Sequence, residues 1–514
     1  MGPAWPHLAR FAAGLGLMAL GSGLSACRAD GLTHWPVPAP PVPSDRQPLL
    51  WVALAAHLGP RTAAAAATTA PLVLEGASAP LQLLDAAGQR ATGQRLALQW
   101  RAVPLAEPLR LQRLVAGPFP SFESADQVAA AWRLQGVAPV IAHPGDWEVW
   151  GPAGSPAPSG QVLRRVTITA THRIALQLPA GSGRAAVLLK GPIQIQAPGG
   201  LRWRDGVYAG PLRLQSDAYG SWTLVEQVPL ERYLQGVVPH EIGAGAPAAA
   251  LAAQAVLART WALRNQHRFA VDGYHLCADT QCQVYGDPRH ASASVRQAIQ
   301  VTQGRVLSWQ GQPIHAVYHA SNGGMAAGFQ ESWGGAPLPY LRAFPDGPAS
   351  YAAAYPVPLR SANGLASLLR SGGQAYGADH PRFRWQRSLD RAQISRALGA
   401  SAAGLGELSQ VRVIERGPSG RALALAFQGT KGQLVLRRDA IRRSLRQLPS
   451  TLFSVVPTAP GVWRFEGGGF GHGAGLSQAG AMDLARRGWS LQRILSHYYP
   501  GTTLEPWGSL SKGL

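Results

Sequence analysis

The amino-acid sequence predicts an α+β fold, in which β-rich N-terminal parts precede a mixed α/β region. Between about residues 160 and 225, short apolar runs alternate with Gly and Asp-Gly turns, a pattern typical of antiparallel strands. The character then changes, because residues 247–267 are Ala-rich and place Pro247 at the first helical turn. Hydrophobic residues make up 46% of the 514 residues, which is enough for a sizeable core.

The charge balance limits the possible partners. Lys and Arg number 47 against 27 Asp and Glu, so the formal net charge is +20. Such a balance favours nucleic acid, anionic lipid or an acidic cell-wall polymer. Nucleic-acid binding would need basic clusters interleaved with aromatic residues. The chain has one small Arg run, which is typical of a solvated helix face. That run comprises Arg437, Arg438, Arg442, Arg443 and Arg446.

Residues 1–27 have the pattern of a secretory signal. Arg10 precedes an apolar stretch from Phe11 to Leu24, and small residues lead to Cys27. The Leu-Ser-Ala-Cys sequence resembles a bacterial lipobox, which implies that Cys27 is lipidated and tethers an exported lipoprotein to a membrane of the cell envelope. The alternative is an ordinary signal peptide with a chance Cys. Either interpretation predicts export and argues against nucleic acid as a partner.

The chain between residues 28 and 155 predicts a tether and a small domain. Residues 28–48 are Pro-rich and polar, which predicts a stiff, extended tether. Residues 49–155 predict a small αβ region, in which a helix over residues 121–135 is capped by Ser121 or Ser124. Strands are expected at 48–58, 81–84, 111–116, 137–141 and 147–150. Residues 108–152 resemble one half of a SPOR domain, a module that binds peptide-stripped glycan; a plain structural αβ unit is the alternative.

Residues 156–507 predict the larger, mixed region. A hairpin is expected over 305–320, with its turn at Gln310-Gly311. Strands are expected at 162–168, 186–189, 192–196, 212–214 and 222–225, and helices at 247–267, 361–370, 390–398, 477–487 and 490–498.

Three features of this region could carry chemistry. Glu241 ends an apolar stretch, where desolvation would raise its pKa and suit a general acid; an exposed Glu before a helix is the alternative. Six Gly between residues 467 and 475 surround His472 and favour a close backbone approach to a ligand or a sharp turn over a phosphate cradle. Cys277 and Cys282 could form a disulfide, remain unpaired or bind zinc with His275.

Six motifs in order identify a family resemblance. VPLERYLQGVVPHEI, LAAQAVLARTWAL, CQVY, HASNGG, FGHGAGLSQAGAMDLARRG and ILSHYYPGT lie between residues 225 and 504. Together they resemble the stage II sporulation protein D family, which includes the amidase enhancer proteins. The resemblance implies that Glu241 is the catalytic acid and that Arg259 lines the cleft. From the same motifs we expect His319, Ser321, Asn322, His472 and Gln478 to bind substrate.

The resemblance implies a peptidoglycan lytic transglycosylase. It would cleave the bond between N-acetylmuramic acid and N-acetylglucosamine in peptide-stripped glycan, during wall remodelling or sporulation-type wall degradation, without a cofactor. The rival is a non-catalytic peptidoglycan-binding protein that enhances an N-acetylmuramoyl-L-alanine amidase; a structural wall-binding lipoprotein is the third reading. Ala252 replaces a common Lys, which favours the rival. Gln281 replaces a His that often precedes the motif Cys, so we expect a disulfide between Cys277 and Cys282 in preference to zinc.

Overall fold

The computed structural model describes residues 31–181, 185–370 and 373–510. Cys27, the predicted signal segment and the first three residues of the predicted tether lie outside the described residues. Within those ranges, no helix combines the length and apolar character needed to cross a bilayer.

The predicted tether is extended, and part of it forms backbone hydrogen bonds with the folded part of the protein. Leu32 bridges to Leu111, and the Trp35 backbone N–H donates to the Ala218 carbonyl at 3.2 Å. Further along, the Pro41 carbonyl accepts a hydrogen bond from the His275 ring at 3.0 Å. Residues 32–41 therefore form a strap against the folded chain, because their backbone groups find partners there.

The N-terminal part is β-rich, as predicted. Ser121 caps the longer of its helices by accepting from the Ser124 N–H, which confirms that prediction. The strands are β1 (Leu49–Leu58), β2 (Leu72–Gly76), β3 (Leu81–Leu84), β4 (Arg90–Gly93), β5 (Arg95–Phe119), β6 (Val140–Ala142), β7 (Trp147–Pro152) and β8 (Arg164–Leu178), and the helices are α1 (Ala63–Ala66) and α2 (Phe122–Arg133).

Six further strands complete two antiparallel-rich sheets. They are β9 (Val187–Leu188), β10 (Ile193–Gln196), β11 (Leu201–Trp203), β12 (Gly206–Tyr208), β13 (Leu212–Ser216) and β14 (Trp222–Pro229). One sheet has the order β15-β1-β14-β13-β10-β3-β4, where β15 is Leu276–Cys277. The other has the order β12-β11-β2-β5-β7-β6, with β8 paired to β5 and β9 paired to β8.

The central part is mixed. It contains α3 (Leu230–Val238), a π-helical turn (Pro239–Gly243), α4 (Ala248–Arg264), α5 (Ala293–Val301), β16 (Arg305–Trp309), β17 (Gln312–Pro313), β18 (Tyr318–His319), β19 (Met325–Ala326) and α6 (Phe329–Ser332), with short 3₁₀ helices at Ala270–Asp272 and Pro288–His290. Every residue of α4 from Ala250 to Leu263 is buried, because its many Ala side chains let α3, α5, β16 and later helices pack on all sides. This helix is the centre of the largest core.

The C-terminal part adds a second core, formed by residues 385–465. Its elements are β20 (Phe344–Pro345), α7 (Ala349–Ala354), α8 (Ala362–Arg370), β21 (Arg384–Asp390), α9 (Arg391–Leu398), a 3₁₀ helix (Gly399–Gly404), β22 (Leu408–Arg416), β23 (Ala422–Gly429), β24 (Gln433–Arg437), α10 (Asp439–Ser444), β25 (Phe453–Ala459) and β26 (Val462–Gly468). The chain then returns to the main core through β27 (Leu476–Ser477), α11 (Gln478–Arg486), α12 (Leu491–Tyr498), β28 (Thr503–Pro506) and a 3₁₀ helix (Trp507–Ser509).

The observed elements confirm the predicted α+β fold, but the hairpin after Arg305 is shorter than predicted. The predicted hairpin over 305–320 ends at Pro313, and its second strand has only the two residues of β17. Tyr318 and His319 instead pair in parallel with Leu476 and Ser477. This distant pairing brings the glycine-rich segment before β27 next to β18.

Candidate active site

Glu241 lies in the π-helical turn that follows α3. The apolar face of α3 is buried, and Gly236 on that helix lets residues 285–286 approach closely, since an added Cβ would lie 2.5 Å from the Gly286 carbonyl oxygen. The Gly286 N–H donates to the Gly236 carbonyl at 3.0 Å. The packing therefore places the end of α3 beside the segment that follows Cys282.

Two donors hold the Glu241 carboxyl group. The Val284 backbone N–H donates to Oε1 at 2.9 Å, and the nearby Tyr318 hydroxyl also favours the anionic form of the carboxyl group. Burial raises the pKa of Glu241, and these two interactions oppose that rise because they favour the anion. The group is therefore placed to hold a proton nearer neutral pH than an exposed Glu, and its anion is stabilised by protein donors rather than by water.

A chain of buried side chains orients Tyr318. The Tyr233 hydroxyl donates to Oε1 of Gln283 at 3.1 Å, and Nε2 of Gln283 donates to the Tyr318 hydroxyl at 2.9 Å. Burial raises the pKa of Tyr318 well above its usual range, so this hydroxyl stays protonated and can donate to Glu241. Gln283 and Val284 thus give the Cys-Gln-Val-Tyr motif a physical role, which is to position the carboxyl group.

The loop that presents these groups is closed by a disulfide between Cys277 and Cys282. His275 cannot complete a metal site with them, since Nδ1 accepts from the Trp51 N–H at 2.9 Å and Nε2 donates to the Pro41 carbonyl. Burial also lowers the pKa of His275 to about 4. Among the described residues, no cluster of three or more His, Cys, Asp or Glu could bind a metal ion. The residues around this pair do not fit zinc.

The glycine-rich segment makes a sharp turn around β18. Gly475 has φ +71°, and a Cβ there would lie 2.0 Å from the Val317 carbonyl oxygen. Nε2 of His472 donates to the Tyr318 carbonyl at 2.9 Å, while Nδ1 accepts from the Ala474 N–H at 3.2 Å. Burial lowers the pKa of His472 to about 3, so the ring is neutral. The segment positions Tyr318 through this ring, and the predicted sharp turn is present.

A cleft of about 280 Å³ opens over Glu241. One wall comes from the start of α2, a second from α10, and the floor from the Cys282–Val284 loop and β18. Arg268 ties the first wall to the body, because it forms an ion pair with Glu123 and donates to the Gln281 carbonyl at 3.2 Å. The lining residues are Pro120, Ser121, Phe122, Glu123, Glu241, Trp261, Arg268, Thr280, Gln281, Cys282, Val284, Val317, Tyr318, Trp333, Asp439, Arg442, Arg443 and His472.

Arg259 does not line this cleft, which corrects the sequence expectation. Its side chain is fully buried and pairs with both carboxylate oxygens of Glu231, at 2.8 Å through Nε and 2.7 Å through Nη2. Nη1 donates to the Arg305 carbonyl at 3.1 Å. The bidentate pair joins α4 to the first turn of α3, so Arg259 is a structural residue here.

Four of the five expected substrate-binding residues also lie outside the cleft lining. Asn322 donates to Asp346 at 2.6 Å and accepts from the Gly324 N–H, and Ser321 accepts from the Gly323 N–H. Gln478 is buried and donates to Gln254. His319 is buried behind His472, with the ring centroids 5.2 Å apart. His472 alone of the five lines the cleft, because the Asn-Gly-Gly turn and β27 point the others into the core.

The structure adds cleft residues that the sequence reasoning missed. The Arg run is not a solvated helix face, since α10 is only six residues long and places Arg442 and Arg443 in the cleft lining. Burial lowers the pKa of Arg442, and burial raises the pKa of Asp439 beside it to about 6. Trp333, whose ring centroid lies 4.8 Å from that of His472, forms an aromatic wall. The sequence feature that could have indicated this role is the position of Trp333 shortly after the His-Ala-Ser-Asn-Gly-Gly motif.

The described chain is thus an α+β protein with a partly aromatic cleft, whose lining includes the carboxyl groups of Glu241, Glu123 and Asp439. Residues 218–309 match the family model described as stage II sporulation protein, and residues 327–475 match a domain of unknown function (DUF8618). The first match contains Glu241 and the disulfide, and the second contains Trp333, α10 and His472. The resemblance to the stage II sporulation protein D and amidase enhancer family is confirmed.

Individual relatives cover about half of the chain. The stage II sporulation protein D of Bacillus amyloliquefaciens is 27% identical over 303 residues, which are 54% of this chain and 75% of the relative. The protein of the same description from Bacillus subtilis (strain 168) has the same identity and coverage. The amidase enhancer of Bacillus subtilis (strain 168) is 28% identical over 292 residues, which are 53% of this chain and 40% of the relative.

Proposed function

We propose that the protein is a peptidoglycan lytic transglycosylase that cleaves the bond between N-acetylmuramic acid and N-acetylglucosamine in peptide-stripped glycan. The observation that carries the proposal is the Glu241 carboxyl group, which is desolvated at the floor of a cleft and held by Val284 and Tyr318. The relatives named for sporulation and amidase enhancement support a role in the cell wall.

One carboxyl group is sufficient for this reaction. Protonated Glu241 donates its proton to the glycosidic oxygen as the bond from that oxygen to C1 of the muramic acid breaks. The resulting carboxylate accepts the proton of the 6-hydroxyl of the same sugar, whose oxygen bonds to C1 and closes an anhydro ring. The proton count balances, and Glu241 ends protonated again. Neither an attacking water nor a second carboxylate takes part.

The surrounding donors fit this cycle. Between the two proton transfers Glu241 is an anion in a desolvated site, where the Val284 N–H and the Tyr318 hydroxyl stabilise the negative charge without reorganising. Trp333 offers a partly exposed aromatic ring in the cleft. We assign this ring to a sugar face, and Arg442 and Arg443 to acidic substituents of the strand.

The amidase-enhancer role remains the second candidate, and two observations favour it. Ala252 stands in α4 where the family commonly has Lys, and Arg259 pairs with Glu231 outside the cleft. In this reading the same cleft would hold the glycan without cleaving it, and the protein would stimulate an N-acetylmuramoyl-L-alanine amidase. In both readings we propose an exported protein of the cell envelope, anchored to a membrane through Cys27.

Mass spectrometry of peptide-stripped glycan after incubation with the purified protein separates the candidates. Fragments ending in anhydro-muramic acid support the transglycosylase. Unchanged glycan, together with faster release of stem peptides when an amidase is added to intact peptidoglycan, supports the enhancer. Hydrolytic fragments with reducing muramic acid ends contradict both.

A further inference from the structure

A second groove of about 640 Å³ continues from the Glu241 cleft. The two spaces share Thr280, Gln281, Arg442 and Arg443, so a chain molecule that leaves the cleft on this side enters the groove directly. The far part of the groove is lined by Arg382 before β21, by Arg387 within β21, by residues 446–449 after α10, and by Phe470.

The groove is strongly basic. Five Arg side chains line it, namely Arg382, Arg387, Arg442, Arg443 and Arg446. Among the described residues that line it, Asp146 is the single acidic one. Within the described part of the chain, none of the five guanidinium groups has a carboxylate oxygen within 4.0 Å. The local positive charge is therefore only partly offset by the protein, through Asp146 in the lining and through Asp439, which attracts Arg442 and Arg443.

The donors are accessible and suited to carboxylates. Arg382, Arg387 and Arg446 are exposed, and Arg382 stacks over the Phe470 ring with 4.2 Å from its guanidinium carbon to the centroid. The planar guanidinium group binds a carboxylate through two parallel hydrogen bonds. Burial lowers the pKa of Arg442, and a desolvated cation gains more from an anionic ligand than an exposed one.

We infer that this groove, lined by Arg382, Arg387 and Arg446, is an anion subsite that binds carboxylate groups of an acidic glycan strand beyond the bond in the Glu241 cleft. The inference rests on the proposed function, since the strand is the one that Glu241 would cleave. A peptide-stripped strand carries one free lactyl carboxylate on each muramic acid, whereas a stem peptide converts that group into an amide. The groove would therefore bind the carboxylate groups that repeat along the strand.

Binding measurements test the subsite without turnover. The Glu241→Gln protein is titrated with an end-labelled, peptide-stripped strand of several disaccharides, with and without the added pair Arg387→Gln and Arg446→Gln. Both positions are exposed, so the folded structure should persist, and circular dichroism checks it. The matched control is Arg437→Gln, in the same Arg run, because Arg437 pairs with Glu415 and lines neither space.

We expect the Arg pair variant to bind the strand at least about fivefold more weakly, and the control to bind within twofold. Methyl esterification of the strand should weaken binding to the parent protein by a similar factor and have a smaller effect on the pair variant. Equal affinity of parent and pair variant overturns the subsite, as does an equal loss on esterification in both. Since all of these proteins carry Glu241→Gln, a failure of Glu241 as the catalytic acid leaves this outcome unchanged.

Discussion

Replacing Arg259 by Met separates a structural role from a catalytic one. The variant keeps an unbranched, flexible side chain, shorter than that of Arg, but removes the two hydrogen bonds to Glu231, at 2.8 and 2.7 Å, and the one to the Arg305 carbonyl at 3.1 Å. Removing one partner of a buried ion pair typically costs 3–5 kcal/mol. Glu231 is 29% exposed and can regain water, so we expect about 3 kcal/mol, the lower end of that range.

The assay is urea unfolding followed by tryptophan fluorescence, together with cleavage kinetics on the folded protein. We expect a lower urea midpoint for Arg259→Met, and recovery of most of the loss when Glu231→Leu is added, because a pair of apolar side chains often substitutes well for a buried ion pair. The kcat of the folded variant should stay within about tenfold of the parent. An Arg259→Met protein with unchanged stability and no cleavage would refute the structural role.

Three further predictions concern Glu241's partner, the disulfide and the anchor. Tyr318→Phe removes a hydroxyl that favours the Glu241 anion, so the pKa of Glu241 rises further and the alkaline limb of the kcat/KM profile moves to higher pH; a shift to lower pH contradicts this. Intact mass should show the protein lighter by two hydrogens through the Cys277–Cys282 disulfide, without bound zinc; two free thiols with zinc contradict it. Cys27→Ser should leave the membrane fraction or remain unprocessed, and normal processing with membrane retention argues against lipidation.

The helices were predicted well because the residues that start them lie within or next to each helix. The cap at Ser121 and the Pro at the start of α4 act within a few residues, so the starts of these helices could be predicted from the sequence. The hairpin after Arg305 was predicted too long, since the partner of Tyr318 and His319 lies at Leu476 and Ser477.

The sequence predicted a residue of the candidate site only where that residue had a local sequence signal of its own. Glu241 could be found from the apolar stretch before it and from the motif, but its partners Val284 and Tyr318 come from other segments. Arg259 lies in an equally recognisable motif, yet the burial of α4 on all sides turns its side chain toward Glu231. Arg442 looked like part of a solvated run, because nothing in the sequence indicates that α10 forms a wall of the cleft.

The central claim is that the Glu241 carboxyl group performs the proton transfers. The matched control is Glu226, which is also buried with a raised pKa and also accepts from a Tyr hydroxyl and a backbone N–H, but lies outside the cleft lining. The measurement is the initial rate of anhydro-muramic acid formation from peptide-stripped glycan by the parent, Glu241→Gln and Glu226→Gln. General acid–base catalysis is typically worth about 100- to 10,000-fold, so Glu241→Gln should lose at least about 100-fold while Glu226→Gln stays within about tenfold. Parent-level product formation by Glu241→Gln would contradict the account.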